Sequence, residues 1–476
     1  MPANGATVKF LVQGLKPNTQ YYYYFLASPN HRAWKTSEIG KFTTTAPVTD
    51  ASPFSIGFVG DYDAKYRPYP LMNNWGAKGS GSEGLRYFIN LGDNIYETAA
   101  KGSLPLPGAR GDSYTITPYS PPLTSSDMNI FYGKYLEINS GVNPTDGSIT
   151  TEGTYQQGTR SMLAAQGVFT LLDNHELYNA MISGGAPLYA DKENYRTNET
   201  ETAYMPPTNA QCYTEKNDIP LTPPAVPGKT KWVRCLDANG TNVAPSATYI
   251  NTSNSFGAMI KGFYNTHATA VDINGNPGLL TAVNLLQPSA AQTINAPSDP
   301  RTNGTPQNYL SRVWGKNVHY IQLDDRSYRD ARMINVGPTV ANDPNRVMLG
   351  ATQLAWFKQE LLNAKNRGAK WTVISLSTPI DVWLDRSTNL PDNKSWVGGY
   401  NYERNNIMKF IADNGIKNIV FVTTDDHMSR ITKLQYQPAG AAANNPWVEV
   451  PNCFQLVAGP AGAAGPYQNA TKNGTC

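Results

Sequence analysis

FINLGDNIYE, residues Phe88 to Glu97, decides how this chain is read. Its apolar start, Phe88, Ile89 and Leu91, suits a buried strand, and Gly92 then turns the chain to deliver Asp93, Tyr96 and Glu97 at the strand's carboxyl end. A carboxylate and a phenol on one such turn can converge on a hard cation. Three other stretches share the layout: VGDYD (Val59 to Asp63), LLDNHE (Leu171 to Glu176) and VTTDDH (Val422 to His427). Strand ends are where sites gather in α/β folds, so four of them predict one polynuclear metal centre.

At 476 residues the chain is long enough for a large core and up to three domains. A net charge of +3, with no Lys/Arg-rich run, gives no footprint for a nucleic-acid partner. Charged residues are sparse at 16%, while Tyr, Asn, Gly, Pro and Thr abound, a mixture that leans toward a loop-rich secreted protein. Cys212 with Cys235, and Cys453 with Cys476, form two pairs of identical spacing outside any CxxC pattern. Two disulfides are the preferred reading over free buried thiols; each would add ~2–4 kcal/mol and imply an oxidising compartment. No stretch approaches the ~18 apolar residues of a membrane span, and Met1 to Thr7 lacks the basic start and apolar core of a signal peptide.

Residues 8 to 28 alternate on either side of GLKPNT and predict two antiparallel strands, with a third at Ser37 to Thr45. The pattern G-L-x-P-x-T-x-Y resembles the second half of a fibronectin type III-like sandwich, in which the Tyr, here Tyr21, forms the tyrosine corner. Only three strands fit before Pro47, so residues 1–47 are expected to be a partial fibronectin-like domain lacking its amino-terminal half. Its unpaired sheet edge is then a candidate self-association surface. From residue 48 onward a second domain begins. Phe54 to Val59 predicts a strand, Glu83 to Tyr87 a short helical approach to the FINLGDNIYE strand, and this order favours parallel pairing. Residues 98–153 and about 184–306 are long Pro-, Gly- and Ser-rich insertions, the first of them suited to overhang the site. Arg160 to Gln166 is expected helical and Val168 to Leu172 a strand. Further strands are expected at Val318 to Leu323, Trp371 to Leu376 and Ile419 to Val422, with helices over Thr352 to Asn366 and Tyr402 to Asn414 stopping at Gly368 and Gly415.

The candidate ligands are Asp61, Asp93, Tyr96, Asn174, Asp425 and His427. Carboxylates, an amide oxygen and a phenolate are hard donors that suit Fe³⁺, Ca²⁺, Mg²⁺ or Mn²⁺ better than a thiolate-bound zinc. Asp93 is placed to bridge two ions ~3.5–4 Å apart with a hydroxide between them as nucleophile. His175 would bond the substrate oxygen or protonate the leaving group, with Glu176 as its orienting partner. Arg326 and Arg329 would either clamp a phosphate bidentately or brace Asp324 or a ligand carboxylate, the second being preferred. On the first of these roles Arg326 joins His175 as a candidate substrate contact. His31 lies in an expected hairpin loop and should be solvent-exposed, whereas His267 and His319 lack partner motifs and are expected to be structural.

The order GD, GDxxYE, DNHE and DxHxS resembles the metallophosphoesterases, most closely the PhoD-like (alkaline phosphatase D) branch. LDDRSYR and the AGP segment at Val457 to Pro460 extend the likeness across most of the chain outside the insertions. The resemblance implies an α/β fold, a four-layer αββα sandwich with mixed sheets, and hydrolysis of phosphate mono- or diesters. By position it implies the six metal ligands above and His175 as the catalytic imidazole. The related purple acid phosphatases share GDxxY, whose Tyr binds Fe³⁺. Three features depart from these families. GDYD stands where the branch commonly has a Cys, leaving Asp61 or Asp63 as ligand; Asp425 replaces the first His of G-H-x-H; and the Trp371 strand ends in Ser375, Ser377 and Thr378 where a further His is expected. Oxygen in place of imidazole shifts the second site toward Ca²⁺ or a similar hard ion. The expected function is a secreted phosphoesterase, with a phospholipid or nucleotide diesterase as one alternative. A degenerate extracellular structural or adhesive subunit is the other.

Overall fold

The computed structural model describes residues 12–28, 34–63, 69–78, 85–96, 138–139, 151–152, 155–156, 159–177, 213–217, 230–234, 294–297, 307–326, 328–329, 341–344, 346–381, 384–385, 390–391, 395–438 and 447–463. The insertions expected at 98–153 and 184–306 fall almost wholly outside these residues, as do Glu97, His31 and His267. Within the second insertion, Tyr213–Asn217 and Thr230–Arg234 pair antiparallel.

Two sheets carry the architecture. In the first, Leu85–Asn90 lies between Ser55–Val59 and Gly167–Thr170, all parallel. The second is mixed and has six strands, in the order Leu310–Trp314, Val318–Gln322, Trp371–Ser375, Ile419–Thr423, Val448–Val457, Arg430–Tyr436, with antiparallel pairing only at its two margins. Alternation along the strands sends successive side chains to opposite faces. Ile89 and Leu91 of the first sheet meet Trp314, Tyr320 and Val422 of the second in one buried cluster. Trp314 forms its centre, stacked on Tyr87 at 4.6 Å and on Tyr320 at 4.5 Å between ring centroids.

The neighbouring residues point outward. Phe88 takes an edge contact from Trp75 of the helix Pro70–Lys78, at 5.0 Å. On the second sheet Ile321, Ile374 and Phe421 face Phe357 and Leu361 of Gly350–Asn366 and Ile407, Met408 and Ile411 of Asn401–Asp413. Burial of each such side chain contributes roughly 1.5–3 kcal/mol. Both helices stop where their glycines predict. Gly368 (φ 71°) donates to Lys365 O and Gly415 (φ 57°) to Ala412 O, closing the last turns in a left-handed conformation that glycine adopts without strain.

Several expectations are corrected. Leu85 to Tyr87 is strand rather than helix, because parallel pairing with Ser55–Val59 takes up its backbone groups; the crossover helix lies earlier, at Pro70–Lys78. Leu310–Trp314, Arg430–Tyr436 and Val448–Val457 are strands that the sequence pattern does not announce. At the amino-terminal end, Gln20–Tyr23 pairs with Gly40–Thr43, at the second and third expected strands, and Leu26–Ala27 pairs with Lys35–Thr36; the first expected strand lies mostly outside the described residues. The Tyr21 phenol does reach back across the GLKPNT turn, accepting from Lys16 N at 2.8 Å. This segment is tied to the rest by Arg160 on Glu38 (2.7 Å) and Arg86 on Asn18 (2.9 Å). Cys453 is buried without a disulfide among the described residues; Cys212, Cys235 and Cys476 lie outside them. His319 is a structural histidine, 3.0 Å from Glu360.

Candidate metal centre

Four strand ends build the site. Three leave the parallel sheet at Asp61, Asp93 and Asp173 to Glu176, and the fourth leaves Ile419–Thr423 at Asp425 to His427. Pairing continues past the strands, with Asp61 N on Gly92 O and Tyr62 N on Asp93 O, both 3.1 Å, so the first two turns run side by side. The tail segment closes against them through Gly462 N on Asp61 O (3.0 Å) and Asp63 N on Gly462 O (2.8 Å). Glycines permit this crowding. A Cβ on Gly92 would stand 2.5 Å from Asp173 Cβ, and one on Gly459 would crowd Asp61 Oδ2.

Asp61, Asp93, Asp425 and His427 all hold left-handed backbone, at φ 59°, 52°, 72° and 53°. Such conformations cost of order 1–3 kcal/mol per residue and persist where surrounding structure imposes them, as at binding sites. Here they aim the side chains inward. One donor atom each from Asp61, Asp93 and His427 lies within 4.8 Å of the others, the grouping expected of a metal-binding triad. The Tyr96 phenol is 2.8 Å from His427 Nε2, and Asp61 Oδ1 is 3.5 Å from the same nitrogen. The His175 ring lies over the Tyr96 ring at 4.0 Å, and its backbone N–H donates to Asp93 Oδ1 at 3.0 Å. Asn174 is buried in the same turn between Asp173 and His175. Asp61, Asp93, Tyr96, His427 and His175 are therefore brought together in space.

Arg326 takes the bracing role that the sequence favours. Asp425 Oδ2 lies 2.8 Å from the Arg326 guanidinium, which also pairs with Asp173 and donates from Nε to Ser377 Oγ at 3.1 Å. Arg326 has no exposed surface, so it braces ligand-turn carboxylates instead of meeting substrate in this conformation. Glu176 is likewise engaged elsewhere than at the His175 ring, because both its oxygens accept backbone N–H groups, those of Asp93, Asn94 and Asp173. Asp173 and Thr424, which donates to Asp61 Oδ2, are site residues that sequence reasoning misses. Asp173 stands in plain view within LLDNHE, but its partner Arg326 does not.

The electrostatics are those of crowded, buried acids. Burial, set against the nearby His175 and reinforced by Asp61 and Asp425, pushes Asp93 up to about 6. Burial and then the Asp93 charge push Glu176 up to about 8, and burial with neighbouring carboxylates raises the Tyr96 phenol. For Arg326 burial acts downward, yet Asp173, Asp425 and Asp325 outweigh it and hold the guanidinium charged. One internal cation thus offsets part of the negative charge. Asp61 Oδ1 accepts no hydrogen bond among the described residues, so an oxygen lone pair faces the triad. Carboxylate, phenol and imidazole donors around that point fit a hard cation.

Comparison with known proteins finds the following likenesses. The sequence model of the PhoD-like phosphatase family matches residues 288–473, which hold LDDRSYR, the Asp425 to His427 turn and the AGP segment. Alkaline phosphatase D of Bacillus subtilis (strain 168) is 29% identical over 134 residues, 27% of this chain and 22% of that protein. A solved structure of PhoD superposes with a TM-score of 0.54 at 18% identity, covering 93% of this chain and 62% of that one. A purple acid phosphatase from yellow lupin (Lupinus luteus) seeds gives a TM-score of 0.43 at 10% identity, covering 95% of this chain and 52% of that one. The chain spans less than two thirds of the length of the PhoD structure, and its match to the curated relative covers about a fifth of that protein.

Proposed function

We propose that this PhoD-like chain is a metal-dependent phosphoesterase acting on phosphate mono- or diesters. The observation that carries the reading is the convergence of Asp61, Asp93 and His427, with Tyr96 on His427 and the His175 ring tilted against Tyr96. Asp61, Asp93, Tyr96 and His427 would hold the principal cation, and Asn174 and Asp425 would extend the donor set toward a second. Fe³⁺ suits the phenol-bearing position and Ca²⁺, Mn²⁺ or Mg²⁺ an oxygen-rich one. When bound, such ions polarise a phosphoryl oxygen and make water a nucleophile at neutral pH.

The chain's own groups supply the rest. His175 is 8% exposed, open enough to meet substrate yet held by the Tyr96 ring. Its imidazole would bond a phosphoryl oxygen and pass a proton to the leaving group. Arg326 pairs with Asp425 and Asp173 and holds them in place without contacting the ester. The arrangement of this reading is a four-layer αββα sandwich over residues 48–476, supported by two sheets packed through Trp314 with helices on their outer faces. Residues 1–47 would be the partial fibronectin-like unit, for which the Tyr21 to Lys16 bond speaks. Exposed Tyr22, Tyr24, Phe25 and Trp34 on that unit favour self-association as an accompanying property. A secreted location follows the same reading.

Purified protein should hydrolyse an aryl phosphate monoester or diester, lose turnover on chelation and recover it when Fe³⁺, Ca²⁺ or Mn²⁺ is restored. Comparing the two esters identifies the preferred class. Protein that binds none of these ions and turns over neither ester would overturn the proposal.

A further inference from the structure

Glu176 is buried without exposed surface, and both its carboxylate oxygens accept backbone N–H groups of described residues. Its Oε2 accepts Asp93 N at 2.8 Å and Asp173 N at 2.7 Å, while Oε1 accepts Asn94 N. These three N–H groups belong to turns that follow two different strands, Leu85–Asn90 and Gly167–Thr170. The bond is returned, because Asp93 Oδ1 accepts His175 N at 3.0 Å. Between the turns there is no slack, as the close approach of Gly92 to Asp173 shows. We infer that Glu176 is a positioning residue: its carboxylate locks the Asp93 turn to the Asn174–His175 turn and so sets the cation-binding geometry. The inference rests on the proposed role of Asp93 as a cation ligand.

The chemistry explains why a carboxylate is needed. Three backbone donors converge on two oxygens, and only a carboxyl group presents two oxygen acceptors side by side. Glutamine keeps the volume but offers one acceptor and turns an N–H against the backbone N–H groups. Aspartate keeps the charge but falls a methylene short. Each leaves Asp93 free to drift from the left-handed conformation it now holds at φ 52°.

In Glu176→Gln, shown to be folded by circular dichroism, Mn²⁺ alone should bind about 10–100-fold more weakly, the usual cost of losing a partner that orients ligands. Amide exchange at Asp93, Asn94 and Asp173 should quicken about tenfold in the metal-free protein. Introduced on top of Asp93→Asn, the same change should weaken Mn²⁺ far less, since it acts through Asp93. Unchanged Mn²⁺ affinity in folded Glu176→Gln, unchanged exchange, or additive effects would each overturn the inference. If that variant does not fold, Glu176→Asp is put through the same three measurements, with the same results expected and the same results overturning the inference. Failure of the unsubstituted protein to bind Mn²⁺ would instead sink the phosphoesterase reading, and exchange alone would then decide the clamp.

Discussion

Asp93→Ala is expected to abolish cation binding and turnover together. Asp93 is the carboxylate that touches both halves of the site. It shares the triad with Asp61 and His427, and its Oδ1 also holds the backbone of His175. Removing it deletes a ligand, frees the His175 turn and leaves Glu176 clamping a backbone with no function. The loss in turnover should exceed the roughly 100-fold seen when only an outer partner of a ligand is removed. Burial limits the collateral damage, because Asp93 is itself an unfavourable charge whose carboxyl is pushed up to about 6 chiefly by desolvation. The metal-free variant should therefore unfold no earlier than the metal-free parent. Elemental analysis with a paired assay of aryl phosphate turnover checks it; a variant that keeps its metal and its rate would mean the centre lies elsewhere.

His175→Ala should separate the two functions that Asp93→Ala removes at once. The imidazole lies on Tyr96 and belongs to the turn of Asn174, but it supplies none of the clustered ligand atoms. Its loss should leave metal content unchanged and lower turnover by about 10²–10⁴-fold, the range for a lost general acid. The deficit should shrink for an ester whose leaving group departs without a proton. An equal deficit for good and poor leaving groups, or loss of metal, would assign His175 to structure.

The ligand turns are legible because each couples an apolar run to Gly or Asp at a strand end, a local signal that survives without tertiary context. VGDYD, LGDNIY, DNHE and TTDDH all follow strands, as that logic expects. The long helix is equally plain, since Phe357 and Leu361 recur on one face and Gly368 ends it. What the sequence hides is long-range. Arg326 meets Asp173 and Asp425 through contacts between distant segments, and neither partner can be read from LDDRSYR alone. Leu85 to Tyr87 reads as helix because its residues carry no strong local preference, and neighbouring strands decide their state. Arg430–Tyr436 is hard to see as an edge strand because apolar Ile431 stands on its exposed face while polar Arg430 and Thr432 stand on the other, which blurs the alternation.

Anomalous scattering from crystals soaked with Mn²⁺ tests the centre most directly. A peak is expected within coordinating reach of the Asp61 and Asp93 carboxylates and His427 Nε2, with the Tyr96 oxygen beside it. No peak there under conditions that load the protein, or a sole peak away from these side chains, would contradict the proposed centre.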